Sequence, residues 1–194
     1  HFEFDLVLSK DGKPVIIHDL TVDRTTGQKG AVANYTADEL AAMDARRNTA
    51  PWPRKAGVPA LETLLDEFPD LEHLQLEVKK DSRQRLNILC NRLTEIIQRR
   101  DLYQKVAITS SDTWFLRQIR RRDKHISVGL VTERRFPRPV SLAARLHCDF
   151  LCINWKICTS AIVEDESHPR HAGIGTARCG QHHFRLPHQH PHVL

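Results

Sequence analysis

The stretch that decides the fold is HFEFDLVLSKDG, residues 1–12. Side chains alternate across a β-strand, so Glu3 and Asp5 share one face of a predicted strand, while Phe2 and Phe4 share the other. One interpretation is an amphipathic strand whose acidic face meets solvent. The other is a strand buried on both faces, whose acids surround a cation, because isolated buried charges are costly.

A second stretch, LQLEVK at residues 74–79, repeats this arrangement. It places Glu77 and Lys79 on one face of a predicted strand and aliphatic side chains on the other. In a parallel barrel the polar faces of both strands would point toward the axis. Carboxylate oxygens are ligands for Mg²⁺ or Ca²⁺, and a cluster without His or Cys is unlike a zinc site. The two strands together favour a divalent-cation site formed by Glu3, Asp5 and Glu77.

Strand and helix patterns alternate along the rest of the chain. Strands are predicted at residues 2–8, 15–18, 74–79, 106–110, 127–132 and 149–154, and helices after a Thr36 cap and at 61–68, 82–99, 112–122, 140–146 and 159–166. Either Asp81 or Ser82 is expected to cap the third of these helices, and Ser111 or Asp112 the fourth. DLTVDRTTG at 19–27 predicts a loop. Strands separated by helices predict an α/β fold with a parallel sheet, and a (β/α)₈ barrel suits this pattern.

Composition limits the classes of function. The 194 residues carry a net charge of +5, of which +3 comes from three arginines after Glu166, leaving +2 for the preceding segment. This balance predicts no nucleic-acid partner. The short basic runs RRRDK at 120–124 and RRFPR at 134–138 are expected to solvate a helix end and a loop. No apolar run is long enough for a membrane span.

The five cysteines form no Cys-X-X-Cys pair, and this predicts a reducing, cytoplasmic location. The first residue is not Met and already lies in a predicted strand, so we expect the native N-terminus to lie upstream. The oligomeric state is left open by the sequence.

Composition changes after residue 166. Seven of the twelve histidines lie between His168 and Leu194, with no periodic apolar pattern. Their spacing matches no defined metal site. We therefore predict two segments, a partial barrel at 1–166 and an atypical His-rich tail at 167–194 that is disordered or results from a reading-frame slip.

His18 ends the second predicted strand and is followed by Asp19. One interpretation is a loop histidine that is merely hydrogen-bonded. The other is a general acid or base next to the cation site.

The stretch EFDLVLSKDGKPVIIHDLTVDRTTG resembles the signature of the glycerophosphodiester phosphodiesterase family, which has Glu-X-Asp, a Lys-Asp-Gly turn, Pro-Val, His-Asp and Asp-Arg-Thr in this order. The resemblance continues through YTADELAAMDA, VPALETLL and LQLEVK and covers roughly residues 2–166. It implies a (β/α)₈ barrel with its active site at the carboxyl ends of the strands.

The resemblance also implies roles for single residues. Glu3, Asp5 and Glu77 match the family's ligands for a divalent cation, Mg²⁺ or Ca²⁺. His18 matches one of its two catalytic histidines, and Lys79 matches a position that contacts the substrate phosphate. Such enzymes hydrolyse small glycerophosphodiesters to sn-glycerol 3-phosphate and an alcohol, within lipid and glycerol metabolism.

Two family motifs have no counterpart in this chain. One is the His-Arg-Gly of the family's first strand, which carries the other catalytic histidine, and the other is a Trp-Thr-Val-Asn stretch near its last strands. The barrel is therefore expected to be incomplete. Three functions remain open: hydrolysis, phosphodiester or metal binding without turnover, and the opening of phosphodiesters by internal attack as in phospholipase D-like toxins.

Overall fold

Two sets of strands joined by helices make up the described part of the chain. The computed structural model describes residues 1–47, 52–136 and 138–159, together with the backbone of 177–179 and 182–183. The strands are β1 (Phe2–Leu8), β2 (Pro14–Ile16), β3 (Leu74–Val78), β4 (Val106–Ser110), β5 (Ser127–Thr132), β6 (Phe150–Ile153), β7 (Ala177–Cys179) and β8 (His182–His183). The helices are α1 (Asp23–Thr26), α2 (Ala37–Ala42), α3 (Leu61–Glu67), α4 (Arg83–Arg99), α5 (Thr113–Arg122) and α6 (Pro139–Arg145). The chain divides into two compact units, His1–Ile126 and Ser127–Leu194.

In the first unit, β1 lies between β2 and β3, and β4 follows β3. The strands β1, β3 and β4 are parallel, whereas β2 returns antiparallel to β1 as a hairpin. The residues of β1 serve two partners, because Phe2–Leu6 pair with β3 and Leu6–Leu8 pair with β2. This division of β1 brings the hairpin next to the parallel sheet.

The predicted alternation of buried and polar residues is clearest in β3. Leu74, Leu76 and Val78 are buried, whereas Gln75 and Glu77 are partly exposed. The aliphatic face belongs to the core, and the face with Glu77 is the one that the sequence assigned to the cation site.

The helices begin at the residues that local chemistry favours. Thr36 and Glu39 form a complete capping box at the start of α2, as predicted. Of the alternative caps, the structure selects Ser82 for α4 and Asp112 for α5, and each side chain accepts a hydrogen bond from a backbone N–H three residues on. The predicted apolar stripe of α4 is buried and comprises Leu86, Leu89, Leu93, Ile96 and Ile97.

A buried carboxylate joins the ends of α4 and α5. Asp123 accepts hydrogen bonds from Gln98 Nε2 at 3.1 Å, from the Tyr103 hydroxyl at 2.8 Å and from the backbone N–H of His125 at 2.8 Å. Burial acts to raise the pKa of Asp123, but these hydrogen bonds outweigh it and lower the pKa to about 2. The ionised carboxylate therefore fixes the turn that leads into β5.

In the second unit, β5, β6 and β7 are parallel, and β8 is antiparallel to β7. Gly129 of β5 lies opposite Phe150 of β6, and a Cβ added at Gly129 would lie 2.4 Å from the Phe150 ring. The missing side chain of Gly129 therefore leaves room for this ring against the sheet.

Two local predictions are wrong. The second strand ends at Ile16 and not at His18, because its pairing with β1 does not continue past the hydrogen bond that the Ile17 N–H donates to the Asp5 carbonyl. The segment 19–27 contains the short helix α1, which Gly27 terminates at a φ of 76°.

Several predictions concern residues that the structure does not describe. The helix expected at 159–166, the boundary after Glu166 and most of the His-rich segment lie outside the described residues. No helix in the described part of the chain is both long and apolar enough to cross a membrane.

Candidate functional site

Three carboxylates converge where β1 and β3 pair. The parallel register places Asp5 opposite Glu77, and Glu3 lies on the same face of β1 two residues before Asp5. One carboxylate oxygen of each residue lies within 4.8 Å of one oxygen of each of the other two. The structure thus brings together the three residues that the sequence proposed as cation ligands.

Lys79, which directly follows β3, supplies a positive charge to this cluster. Its Nζ lies 2.7 Å from Asp5 Oδ1 and 2.7 Å from Glu77 Oε1, and all three side chains are about one-fifth exposed. Burial acts to lower the pKa of Lys79, but hydrogen bonds to Asp5 and Glu77 outweigh it and raise the pKa. The ammonium group therefore stays charged while it bridges the two carboxylates.

Glu3 differs from the other two acids in its environment. It is the most exposed of the three, yet protein atoms displace part of the water around its carboxylate. This desolvation is the largest of the effects that raise its pKa to about 7, followed by the negative charges of Asp5 and Glu77. The positive charges of Lys79 and His18 act in the opposite direction. Glu3 therefore exchanges its proton near neutral pH.

His18 lies beside the cluster because the hairpin folds back along β1. The Ile17 N–H donates to the Asp5 carbonyl at 3.0 Å, which fixes the backbone immediately before His18. Its side chain is 59% exposed, and its Nδ1 lies 2.6 Å from Asp19 Oδ1. The other oxygen, Asp19 Oδ2, accepts a hydrogen bond from Arg24 Nε at 2.5 Å.

Asp19 and Arg24 were not singled out by the sequence analysis as site residues. The bond from Arg24, and then that from His18, lower the pKa of Asp19 to about 2, so its carboxylate is ionised. The ionised Asp19 accepts a hydrogen bond from Nδ1–H, and this leaves Nε2 as the ring nitrogen that can exchange a proton with a substrate. The His-Asp dipeptide was the available signal, whereas the contact with Arg24 depends on the unpredicted helix α1.

The donor set fits a hard divalent cation. All three candidate ligands offer carboxylate oxygens, which Mg²⁺ and Ca²⁺ prefer, and none is the thiolate or imidazole typical of zinc sites. The cluster already accommodates the Lys79 ammonium group. A cation held by these carboxylates, together with the Lys79 ammonium group and the His18 imidazole, would suit a negatively charged substrate that undergoes proton transfer.

Comparison with known proteins connects this arrangement with one family. The model of the Glycerophosphoryl diester phosphodiesterase family matches residues 2–168. Among curated proteins, a glycerophosphodiester phosphodiesterase from Caldanaerobacter subterraneus is 29% identical over 145 residues, which are 74% of this chain and 59% of the relative. One from Bacillus altitudinis is 28% identical over 131 residues, which are 67% of this chain and 54% of the relative. The chain thus spans less than two-thirds of the length of these relatives.

Solved structures show a similar fold. A phosphodiesterase from Oleispira antarctica, in complex with the product sn-glycerol-3-phosphate, has 21% identity and a TM-score of 0.71 over 88% of this chain and 68% of that one. A glycerophosphodiester phosphodiesterase from Agrobacterium tumefaciens also has 21% identity and a TM-score of 0.71, over 89% of this chain and 70% of that one. These neighbours are (β/α)₈ barrels. The predicted fold class, an incomplete barrel of this type, is confirmed.

Proposed function

The chain belongs to the glycerophosphoryl diester phosphodiesterase family, and we propose that it hydrolyses glycerophosphodiesters to sn-glycerol 3-phosphate and an alcohol in a reaction that depends on Mg²⁺ or Ca²⁺. The observation that carries this proposal is the convergence of the Glu3, Asp5 and Glu77 carboxylates with the Lys79 ammonium group. Members of this family generally depend on a divalent metal. The same activity would place the chain in lipid and glycerol metabolism.

Glu3, Asp5 and Glu77 would hold the cation. When bound, a divalent cation neutralises negative charge on a phosphodiester and orients it. Lys79 would contact a non-bridging phosphate oxygen, for which its raised pKa keeps it charged. Its position between Asp5 and Glu77 supports this role, because the same contacts that hold the ammonium group direct it to the cation site.

His18 would protonate the departing alcohol. Asp19 accepts a hydrogen bond from Nδ1–H and so orients the ring, and Nε2 would deliver a proton to the leaving oxygen as water attacks phosphorus and the bond from phosphorus to that oxygen breaks. Arg24 keeps Asp19 ionised and in place. The proposal thus gives Asp19 and Arg24 positioning roles.

The product assignment is supported by the sn-glycerol-3-phosphate in the complex of the Oleispira antarctica phosphodiesterase. We also propose that the chain works in the cytoplasm on a small diester and not on nucleic acid. Cys90 supports a reducing compartment, since it is a buried cysteine that forms no disulfide.

The test is an assay of the 194-residue chain with sn-glycero-3-phosphocholine, with Mg²⁺ or Ca²⁺ and with neither ion. Phosphorus NMR separates sn-glycerol 3-phosphate from a cyclic phosphate, and calorimetry measures metal binding. We expect Glu77→Gln to abolish metal binding and turnover, and His18→Ala to abolish turnover alone. Glu72→Gln changes an exposed acid in the segment before β3 and serves as the matched control.

Each outcome separates the three functions. sn-Glycerol 3-phosphate that forms only with a divalent cation supports hydrolysis. A cyclic phosphate would indicate internal attack, and metal binding without product would indicate a binding protein. Metal binding that survives Glu77→Gln unchanged would refute the three-carboxylate site.

A further inference from the structure

Two neighbouring loops follow the carboxyl ends of β5 and β6 in the second unit. The strands are parallel and in register from Gly129–Phe150 to Thr132–Ile153, so residues 133–136 and 154–158 leave the sheet at the same edge. The Asn154 N–H donates a hydrogen bond to the Thr132 carbonyl at 3.1 Å, which connects the two chain segments where they leave the strands. The loops therefore present one continuous surface.

This surface carries two large aromatic side chains. Phe136 is 84% exposed and Trp155 is 64% exposed, which makes them the two most exposed large hydrophobic residues in the part of the chain that the structure describes. Nothing in the packing of the described residues accounts for them. Exposed apolar groups with polar neighbours are typical of interaction sites.

Cations surround these aromatic residues. Arg134, Arg135 and Arg138 are exposed, and they form no ion pair with an acidic side chain of the described residues. Lys156 Nζ lies 5.9 Å from the centre of the Trp155 ring. The two loops and Arg138 together provide four cationic residues and a single acid, Glu133, so they attract negative charge.

We infer that this aromatic–basic patch, formed by Arg134, Arg135, Phe136, Trp155 and Lys156, binds the surface of an anionic phospholipid bilayer. Trp and Phe side chains partition into the interfacial region of a bilayer, while adjacent Arg and Lys contact the headgroup phosphates. From its sequence, RRFPR was expected only to solvate a loop, but that role does not explain an exposed Phe between arginines. The inference concerns where the chain works and does not depend on its hydrolytic activity.

A bilayer suits the patch better than single-stranded nucleic acid does. Bases stack on open aromatic faces, but the Lys156 ammonium group lies over the ring of Trp155. Phe136 has the greatest exposure and sits between cations in sequence, so it would enter the headgroup layer first while the arginines remain at the phosphates. The two loops are short, and we therefore expect reversible binding that weakens as ionic strength rises.

The experiment measures cosedimentation of the 194-residue chain with vesicles of equimolar phosphatidylcholine and phosphatidylserine, and with vesicles of phosphatidylcholine alone. We expect binding only to the anionic vesicles. Removal of two cations in Arg134→Gln/Arg135→Gln should lower the partition coefficient about 25-fold, or about fivefold for each charge. Phe136→Ser/Trp155→Ser should lower it at least tenfold.

Two control variants change residues outside the patch, in the segments that lead into β3 and β5. Phe68→Ser changes an aromatic residue that is 54% exposed before β3, and Arg121→Gln changes an exposed arginine at the end of α5. Both should bind vesicles within about twofold of the unaltered chain, and circular dichroism verifies that all variants fold.

Three results would overturn the inference. One is the absence of binding to anionic vesicles, and another is an equal loss in the two control variants. The third is unchanged vesicle binding by Phe136→Ser/Trp155→Ser together with full competition by single-stranded RNA, which would identify a general polyanion surface.

Discussion

Divalent-cation affinity should fall sharply between pH 8 and pH 6, and Glu3 should be the cause. Metal binding requires ionised ligands, so a proton on Glu3 competes with the cation. With a pKa of about 7, Glu3 loses most of its ionised fraction over this interval. It is about nine-tenths ionised at pH 8 and about one-tenth at pH 6, so the apparent affinity should fall about tenfold. The raised pKa of Lys79 keeps its charge constant over this range.

Calorimetric titration of the chain with Mg²⁺ or Ca²⁺ at several pH values measures this effect. Repeating each titration in buffers of different ionisation enthalpy counts the released protons, and about half a proton per cation is expected at pH 7. Glu3→Gln should bind more weakly at pH 8 but with an affinity that no longer changes with pH, whereas Glu72→Gln should behave like the unaltered chain. A tenfold fall that persists in Glu3→Gln would refute the assignment.

The same pKa shift fixes the sign of a stability effect in the metal-free chain. The pKa of Glu3 in the folded chain lies above its unfolded value of 4.5, so protonation of Glu3 stabilises the folded state. This stabilisation is fully present below pH 4.5 and is lost as the pH rises through about 7. Glu3→Gln should therefore raise the melting temperature relative to the unaltered chain by an amount that grows from pH 5 to pH 8.

Three further predictions concern packing and hydrogen bonds. Gly129→Ala should destabilise the chain by about 1–3 kcal/mol in urea unfolding, because the new Cβ would overlap the Phe150 ring; an unchanged midpoint would contradict this packing. Asp19→Asn should lower turnover at least about tenfold with little change in metal affinity, because His18 loses its anionic partner; equal losses of both would point to a general structural role. Asp123→Asn should lower the free energy of unfolding by about 1–3 kcal/mol at pH 7. The loss should shrink as the pH falls through 3.8 toward 2, since the low pKa of Asp123 contributes stability only above this range. A loss that stays constant across this range would show that ionisation of Asp123 is not involved.

Features that depend on a few neighbouring residues were predictable. The alternation in β3, the capping box of α2 and the buried stripe of α4 follow from local periodicity and short-range hydrogen bonds. Where two caps were possible, as with Asp81 and Ser82, local sequence could not decide, because both residues carry a side-chain oxygen that can accept a backbone hydrogen bond.

Features that depend on distant contacts were not predictable. The bridge from Lys79 to Asp5 requires the register between β1 and β3, which are separated in sequence by about half of the first unit. The pairing of Arg24 with Asp19 requires α1, a single helical turn too short to show a periodic pattern. The raised pKa of Glu3 likewise results from burial and from charges on two strands.

The register of β1 links the candidate site to the stability of the first unit. Glu3 and Asp5 face the cluster while Leu6 and Leu8 are buried, with 0% and 2% exposure, respectively. A shift of β1 by one residue would turn both carboxylates away from Glu77 and would move these leucines out of their present packing to the face that carries Val7, because successive side chains point to opposite faces. Burial of each leucine contributes about 1.5–3 kcal/mol, so the core strongly disfavours the shifted register. The hydrophobic residues of β1 therefore specify the position of its acids, and the hairpin that continues from the same strand brings His18 to them.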